Sequence, residues 1–171
     1  MNDDQSAQRI CDDEICLRQA SPSDVSAIHA LMRPFVMRRL LLSRTPAELA
    51  DLSRHGFVAM VGPPKGSHSG PATAADGVVA ERCVGFSAVE VYSPKLAELQ
   101  CLAVHPDFQC FGVGKRLVQM CVDRARDLGV MEIMAISSSD RFLENCGFDY
   151  SLPDQKRALF HQLRPRPYEE R

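Results

Sequence analysis

The segment from residue 102 to residue 117 contains the residue types that can bind a phosphate group. It reads L-A-V-H-P-D-F-Q-C-F-G-V-G-K-R-L, with Gly112 and Gly114 followed by Lys115 and Arg116. An apolar run precedes the glycines and an amphipathic run follows them, which predicts a strand, a loop and then a helix. The first N–H groups of a helix have no partner within it, and glycine lets a pyrophosphate approach the backbone closely. The segment is therefore a candidate pyrophosphate site.

The two glycines alone do not identify a nucleotide site, because tight turns and helix caps need glycine as well. Position 117 is Leu, so the sequence lacks the G-x-G-x-x-G fingerprint of dinucleotide-binding domains. No phosphate loop of the form G-x-x-x-x-G-K-[ST] occurs either. On these residues, a plain helix-capping turn stays open as the alternative.

Helical and extended patterns around this segment predict an α/β domain. Extended apolar runs predict strands over residues 15–20, 57–61, 83–92, 97–105, 130–136, 148–151 and 158–163. Capping residues and helical spacing predict helices that begin at residues 21 and 45, and helices over 112–128 and 138–145. The short turn after residue 92 predicts an antiparallel hairpin, and the strand–helix–strand order that follows predicts a parallel crossover. We therefore expect an α/β (α+β) three-layer fold with a mixed, largely antiparallel central sheet flanked by helices.

Length, charge and hydropathy restrict the domain organisation and the partners. The chain has 171 residues, close to the size of one domain, and a net charge of −2 from 20 basic and 22 acidic side chains. This balance offers no basic surface for nucleic acid, and no apolar run is long enough to span a membrane. The acidic N-terminus is unlike a secretory signal, so we expect a cytoplasmic protein. We predict a mobile acidic tail over 1–14, one domain over 15–163 with a flexible loop at 62–77, and a C-terminal tail over 164–171.

The seven cysteines do not predict a metal site or a disulfide framework. Their number is odd, the sequence contains no C-x-x-C motif, and no pair of histidines has zinc-ligand spacing. Cys83, Cys101 and Cys121 fall in apolar periodic segments, where a free cysteine packs as a small hydrophobic side chain. We therefore expect reduced thiols and no metal, which also fits a cytoplasmic protein.

The glycine-containing loop resembles that of a known family. Residues 109–114, Q-C-F-G-V-G, are similar to the Q/R-x-x-G-x-G/A loop of the GNAT superfamily of acetyl-CoA-dependent N-acetyltransferases. The resemblance extends to the preceding strand at 101–106 and to the F-x-x-x-x-G-F pattern that ends at Phe148. Within the superfamily, the chain is most similar to the acetyltransferase domain of N-acetylglutamate synthases, through stretches at 31–45, 97–107 and 152–160. The resemblance implies a GNAT-like fold and acetyl-CoA as the co-substrate.

The resemblance also implies which residues contact the coenzyme. Backbone groups of Leu102 and Val104, with Ala103 between them, would pair with the pantetheine amides, although these residues can equally be plain core strand. The pyrophosphate would be held by Gln109, Cys110, Phe111, Gly112, Val113, Gly114 and Lys115. Relatives usually carry glycine and a basic residue where this chain has Cys110 and Phe111. The larger cysteine predicts a weaker affinity for the coenzyme.

Glu98 is the candidate catalytic base. An acceptor amine must be neutral when it attacks the thioester carbonyl, so a base or a water relay has to lie nearby. Several acetyltransferases keep a catalytic glutamate at this place, six residues before Val104. The alternative is a solvent-facing strand end whose charge is paired with Lys95 or an arginine. Relatives often protonate the leaving thiolate with a tyrosine, but that position is Leu143 here, which leaves water or Tyr150 for this step.

Arg44 and Ser137 are the candidate ligands for a substrate carboxylate. Arginine offers paired N–H donors that fit a carboxylate, and Arg44 matches the arginine that follows the first helix in the synthases. A surface salt bridge is an equal alternative for Arg44. Ser137 stands where the synthases often carry an arginine after the fifth strand, and its hydroxyl can bind a carboxylate or cap the next helix.

The sequence thus predicts an enzyme that transfers acetyl from acetyl-CoA to the α-amine of L-glutamate by direct attack, in arginine biosynthesis. Its expected partner is a small amino-acid substrate, with no nucleic acid or membrane, and a homodimer is an open assembly. One alternative is a GNAT enzyme for another small amine or a protein lysine. The other is a non-catalytic protein that senses acetyl-CoA, which the altered loop and the missing tyrosine motivate. Glu98 distinguishes the two classes, because a sensor needs no base on that strand.

Overall fold

The computed structural model of the chain describes residues 10–11, 15–62, 81–137 and 140–150. The chain divides into two compact units, Met1–Ser138 and Ser139–Arg171. The first unit contains the sheet and the three longer helices of the described residues, and the second contains one short helix. The sheet of the first unit positions most of the candidate site residues.

The sheet is open, and over the described ranges its six strands lie side by side in chain order. The strands are β1 (Ile10–Cys11), β2 (Ile15–Gln19), β3 (Gly56–Val61), β4 (Arg82–Ser93), β5 (Leu96–Val104) and β6 (Glu132–Ala135). Neighbouring strands are antiparallel except for β5 and β6, which are parallel. The sheet is therefore mixed and largely antiparallel, as the sequence predicts. The predicted hairpin and the predicted parallel crossover are both confirmed.

Helices cover both faces of this sheet. The first unit contains α1 (Val25–Met37), α2 (Pro46–Ser53) and α3 (Val113–Asp127), and the second contains α4 (Asp140–Glu144). Alternate residues of a strand point to opposite faces, and β3 shows this directly. Val58 packs in one core with Leu49 of α2, whereas Ala59 packs in another core with Leu117 of α3. The predicted three-layer arrangement is confirmed, with α1 and α2 on one face and α3 on the other.

Polar caps fix where α1 and α2 begin. α1 follows a short 3₁₀ turn ending at Asp24, whose carboxylate accepts from the Ser21 N–H (2.8 Å) and from both terminal nitrogens of Arg18 (2.7 and 2.8 Å). The Arg18 hydrogen bonds lower the pKa of Asp24 to about 2, against the opposing effect of burial. This ion pair ties the start of α1 to β2. α2 begins with the capping box between Thr45 and Glu48 that the sequence predicts.

The structure corrects one predicted strand near the C-terminus. Residues 148–150 form no strand, so the strand predicted over 148–151 is wrong for these residues. Gly147 follows α4 with φ of 90°, and this left-handed conformation turns the chain instead of extending it. The strand predicted over 158–163 lies outside the described residues.

Most of the segments predicted to be irregular also lie outside the described residues. The loop predicted at 62–77 is described only at Gly62. Of the tail predicted over 1–14, the structure describes Ile10 and Cys11, and these two residues pair with β2. No helix in the described ranges is long and apolar enough to cross a membrane.

β4 and α3 approach each other closely at Gly85. A Cβ added to Gly85 would lie 2.9 Å from Leu117 Cδ1, 3.1 Å from Val113 Cγ1 and 3.0 Å from Ala59 Cβ. A Cβ there would require Leu117 to move and Val113 and Ala59 to give by a few tenths of an ångström, so glycine lets α3 rest this close to the sheet without displacing its neighbours. Because Val113 and Leu117 belong to the first turns of α3, the contact also fixes where that helix begins.

We expect Gly85→Ala to lower the free energy of unfolding by about 1–3 kcal/mol, because the added methyl group pushes α3 away from the sheet. Gly62→Ala is the matched control, since nothing lies within 4 Å of a Cβ at that glycine. Urea unfolding would measure both changes. Equal losses in the two variants would show that the close approach at Gly85 is not a constraint.

Candidate active site

β5 separates from β6 in the middle of its length. The parallel pairing runs from Leu96 opposite Glu132 to Leu99 opposite Ala135, and β6 ends there. β5 continues to Val104, paired only with β4 in the described part of the chain. The strand edge after Leu99 therefore offers backbone N–H and C=O groups to a ligand that contains amides.

A β-bulge in β5 accounts for this separation. Opposite Ser87 of β4, β5 carries two residues, Cys101 and Leu102, and Cys101 has a left-handed φ of 58°. An extra residue bends a strand and interrupts its pairing. The Ser87 hydroxyl donates to the carbonyl of Gln100 just before the bulge (3.2 Å), which ties the two strands together at the bend.

The loop after β5 leads into the glycine-capped start of α3. Gly112 is the N-cap with φ of 75°, and its carbonyl accepts from the Arg116 N–H (3.0 Å). Nothing lies within 4 Å of a Cβ at Gly112, so the left-handed backbone rather than lack of space calls for glycine there. The next N–H groups, from Val113 to Lys115, are those that an α-helix cannot pair internally. This helix start is a geometry that can hold a pyrophosphate.

Side chains hold the loop in place on both sides. The Gln109 amide donates to the carbonyl of Val104 (3.0 Å), which clamps the loop onto the end of β5. Val113 is buried against the sheet and anchors the helix start, whereas Lys115 is exposed on the first turn. Phe111 is 69% exposed and projects from the loop into solvent.

Cys110 adopts a conformation that glycine would adopt more easily. Its φ is 69°, and a residue with a Cβ in this region costs roughly 1–2 kcal/mol. The Cys110 side chain itself is exposed. The difference from the glycine of relatives therefore lies in the backbone conformation, and the space occupied by the thiol is the lesser effect.

The strand residues named for the coenzyme face different sides of the sheet. Leu102 and Val104 pack beside the α3 core, and Ala103 is buried in the core under α1 and α2. The core-strand alternative for Leu102 and Val104 is therefore correct for their side chains. A coenzyme contact from Leu102 and Val104 would use their backbone atoms, so it is compatible with the packing of their side chains in the core.

Glu98 is buried on β5, with 8% of its surface exposed. It lies opposite Glu90 on β4 and opposite Met134 on β6. Its carboxylate accepts a hydrogen bond from the Tyr92 hydroxyl. The alternative of a solvent-facing strand end is wrong for Glu98, because the side chain is buried and tyrosine is its hydrogen-bond partner.

Arg44 lies on the α1–α2 side of the sheet. Its guanidinium donates to Gln100 Oε1 (2.9 Å) and pairs with Glu48 (3.6 Å). Burial opposes the charge of Arg44, but the Cys101 thiol and nearby carboxylates outweigh it and raise the pKa of the guanidinium. The salt-bridge alternative is thus correct in part, since Glu48 is a partner. The 19% exposed side chain is nevertheless more buried than a surface pair requires.

A shallow cleft of about 240 Å³ opens beside Arg44, between α2 and the end of β4. Its walls are formed by Arg44, Glu48, Asp51, Leu52, His55, Val89, Glu90 and Val91. The walls are about equally polar and apolar, and the acidic side chains Glu48, Asp51 and Glu90 outnumber the single arginine. The cleft can hold a small polar molecule beside the Arg44 guanidinium.

The remaining predicted residues lie just after β6 or in the second unit. Ser137 is exposed and follows β6 at the end of the sheet where the pairing with β5 stops. Leu143 lies in α4 of the second unit. Tyr150 belongs to the same unit, and a hydrogen bond to Asp140 raises the pKa of its hydroxyl. In the residues that the structure describes, no cluster of three or more His, Cys, Asp or Glu side chains could hold a metal ion.

Sequence reasoning missed Tyr92, Gln100 and Glu90. Gln100 follows Glu98 by two residues and so shares its face of β5, which period-2 alternation could have shown. Glu90 could have been found by pairing the predicted hairpin residue by residue. Tyr92 follows Glu90 by two residues, so alternation could have placed it on the same face, but the bulge left its reach to Glu98 without a signal in the register.

Two diverging parallel strands beside the glycine-capped start of their crossover helix define the class of acetyltransferase-like α/β domains. Residues 45–148 match the family model described as "Acetyltransferase (GNAT) family", and the chain belongs to this family. The family that the sequence resembles is thereby confirmed.

Several curated relatives are amino-acid acetyltransferases, and another, from Chlorobaculum tepidum, is an uncharacterized N-acetyltransferase that is 25% identical over 135 residues, 79% of this chain and 76% of the relative. The amino-acid acetyltransferase of Pasteurella multocida is 25% identical over 155 residues, which cover 86% of this chain and 31% of the relative. That of Neisseria meningitidis serogroup B is 28% identical over 127 residues, which cover 73% of this chain and 25% of the relative. The chain therefore spans less than a third of the length of either amino-acid acetyltransferase.

Solved structures share the fold. N-acetylglutamate synthase from Neisseria gonorrhoeae, complexed with coenzyme A and N-acetyl-glutamate, has a TM-score of 0.60 and 26% identity over 79% of this chain and 28% of that chain. Rv2747 from Mycobacterium tuberculosis, in complex with CoA, has a TM-score of 0.62 and 24% identity over 80% of this chain and 72% of that chain. Both of these structural neighbours bind CoA.

We expect Gly112→Ala to weaken CoA binding by about tenfold, because the left-handed cap costs a residue with a Cβ roughly 1–2 kcal/mol and the helix start shifts. Gly129→Ala is the matched control at the other end of α3. Gly129 has φ of 71° and, like Gly112, nothing within 4 Å of its Cβ position. Calorimetric titration with CoA measures both variants. Equal affinities would place the coenzyme away from the Gly112 loop.

Proposed function

We propose that this domain is an acetyl-CoA-dependent N-acetyltransferase acting on the α-amine of an amino acid, with L-glutamate as the preferred acceptor. The observation that carries the proposal is a polar network on one face of β5. It joins the buried carboxylate of Glu98 to the guanidinium of Arg44 through Tyr92 and Gln100. A base for the amine and a cation for a carboxylate thus lie in one connected set of groups. The relatives named amino-acid acetyltransferase support the same substrate class.

The coenzyme binds where β5 leaves β6. The pantetheine amides pair with the backbone edge at Leu102 and Val104, where the Val104 carbonyl also accepts from Gln109, and the pyrophosphate lies at the glycine-capped start of α3. Lys115 on the first turn adds positive charge near the phosphates. The structural neighbours solved with coenzyme A support CoA as the ligand of this domain.

Glu98 removes the proton from the acceptor amine. An amine whose pKa lies about two to three units above the ambient pH costs about 3–4 kcal/mol to deprotonate. Glu98 accepts this proton directly or through one water molecule, and passes it to solvent. The neutral nitrogen then attacks the thioester carbonyl, a C–N bond forms, the C–S bond breaks, and CoA leaves as a thiolate.

The thiolate takes its proton from water. Leu143 has no proton to give, and hydrogen bonding to Asp140 raises the pKa of Tyr150, which weakens it as an acid. Burial and the bond to Glu98 raise the pKa of Tyr92 to about 12, well above the ordinary thiol value of about 8.5. Tyr92 therefore keeps its proton in the bond to Glu98, and the CoA thiolate leaves as an anion that solvent protonates after release.

Arg44 binds a carboxylate of the acceptor. Ser137, which follows β6 where its pairing with β5 stops, supplies a hydroxyl as a second, uncharged donor to the acceptor. Arg44 is already held by Gln100 and Glu48, so its guanidinium is oriented before the acceptor arrives. A carboxylate that reaches Arg44 competes with Glu48, whose pairing distance of 3.6 Å is loose. Orientation in advance lowers the entropy lost on binding.

The test of the function is acetyl-CoA turnover, read as free thiol, with L-glutamate beside a panel of other amino acids, polyamines and lysine peptides. We expect L-glutamate to react at least about tenfold faster than the other acceptors. We expect Glu98→Gln to lower kcat about 100-fold, since general base catalysis contributes about 10²–10⁴. Glu132→Gln on β6 is the control for the same change at an exposed glutamate.

Each outcome of this panel distinguishes a hypothesis. A different preferred amine would keep the acetyltransferase and reject glutamate. CoA binding without turnover on any amine would reject catalysis and leave the coenzyme sensor. Full turnover by Glu98→Gln would remove Glu98 as the base.

We expect Arg44→Ala to raise the KM for the acceptor about tenfold or more, because a charge-assisted contact to its carboxylate is lost. The Kd for CoA should stay unchanged. Arg54→Ala is the matched control, since Arg54 is 75% exposed and pairs with Asp51 on the surface. Steady-state kinetics with varied acceptor measure the effect. An unchanged acceptor KM would remove Arg44 from the site.

A further inference from the structure

Tyr92 occupies an irregular position in β4. The register between β4 and β5 shifts between Val91 and Ser93, which makes Tyr92 an extra residue in its strand. Bulges re-aim a side chain and are common beside active sites. The ring is half exposed, and its hydroxyl reaches back along the sheet to the carboxylate of Glu98.

The Tyr92 hydroxyl lies between two carboxylates. Glu90 and Glu98 are directly opposite each other on adjacent strands, an arrangement in which like charges repel. The hydroxyl donates to Glu98 and lies 3.4 Å from Glu90 Oε2, at the limit of a hydrogen bond. One hydroxyl has one proton to donate, and the geometry directs it to Glu98.

The hydroxyl remains a donor throughout the neutral pH range. Burial and the bond to Glu98 raise the pKa of Tyr92 to about 12, so the phenol stays protonated. The Glu98 carboxylate is therefore always offered the same donor. This separates Tyr92 from a group that gives up its proton during the reaction.

Gln100 connects Tyr92 to Arg44. Its amide nitrogen lies 3.4 Å from the Tyr92 oxygen, and its amide oxygen accepts from Arg44 (2.9 Å). The orientation of the amide is thus fixed from both ends. The path from Arg44 to Glu98 consists of Gln100 and Tyr92, each bonded to the next.

We infer that Tyr92 is a positioning residue for acetyl transfer: its hydroxyl holds the Glu98 carboxylate away from Glu90 and aligned with the acceptor that Arg44 binds. The inference rests on the proposed function, because Tyr92 acts through Glu98. It gives the bulged end of β4 a role in the site, beside the β4 residues that line the cleft at Arg44.

The experiment is a double-mutant cycle with the acceptor that turns over fastest. Tyr92→Phe removes only the hydroxyl, and we expect it to lower kcat about tenfold, since a hydrogen bond to a charged group is lost. The acceptor KM and the Kd for CoA should change less than about twofold. In the Glu98→Gln background, Tyr92→Phe should cause no further loss, because the group through which it acts has gone.

Glu90→Gln provides the matched background. There the Glu98 carboxylate is intact but the charge that repels it has gone, so Tyr92→Phe should lower kcat by clearly less than the tenfold loss expected with Glu90 in place. CoA titration of each variant verifies that the domain is folded.

The outcomes separate this inference from the proposed function. Full kcat in Tyr92→Phe, or an equal loss in the Glu98→Gln background, overturns the role of Tyr92. Loss of activity in Glu98→Gln with full activity in Tyr92→Phe keeps the base and rejects only its positioning. Full activity in Glu98→Gln rejects Glu98 as the base. Tyr92 then has no catalytic group to position, so its proposed role is rejected as well.

Discussion

The bulge at Cys101 is the constraint on which the candidate site depends. One extra residue prevents β5 from following both neighbours along its whole length, so the strand keeps β4 and leaves β6 after Leu99. The free edge that results lies next to the loop that leads into α3. On the other side of the bulge, Glu98 remains in the regular part of the sheet, buried and opposite Glu90. A single backbone irregularity thus separates the proposed coenzyme region from the proposed acceptor region on one strand.

The two faces of the sheet position different parts of the candidate site. On the α3 face, the close contact at Gly85 holds α3 against β4. This contact fixes the position of the first N–H groups of α3 relative to the sheet. On the α1–α2 face, Arg44 reaches across to Gln100, and the hairpin end of β4 supplies Tyr92. Short polar contacts between neighbouring elements, rather than one large pocket, hold this second region together.

Local patterns in the sequence were enough for most elements of the sheet and for the start of α3. Apolar alternation, the T-x-x-E cap before α2 and the G-x-G turn act within a few residues, so they can be recognised without the fold. The bulges could not be recognised in this way, because a left-handed Cys101 has no residue signature. The burial of Glu98 and the role of Tyr92 depend on pairing between strands, which the hairpin implied only in its regular register.

The contact of α3 with Gly85 has a consequence for how such domains diverge. The sheet holds the start of α3 through the buried side chains of Val113 and Leu117. The loop before α3 therefore contributes little to keeping the helix in place. Its own sequence is then free to drift, provided that the cap at Gly112 keeps its conformation. Cys110 in its left-handed conformation and the exposed Phe111 are compatible with such freedom. Identity in this loop is accordingly a poor measure of whether the helix start has been preserved.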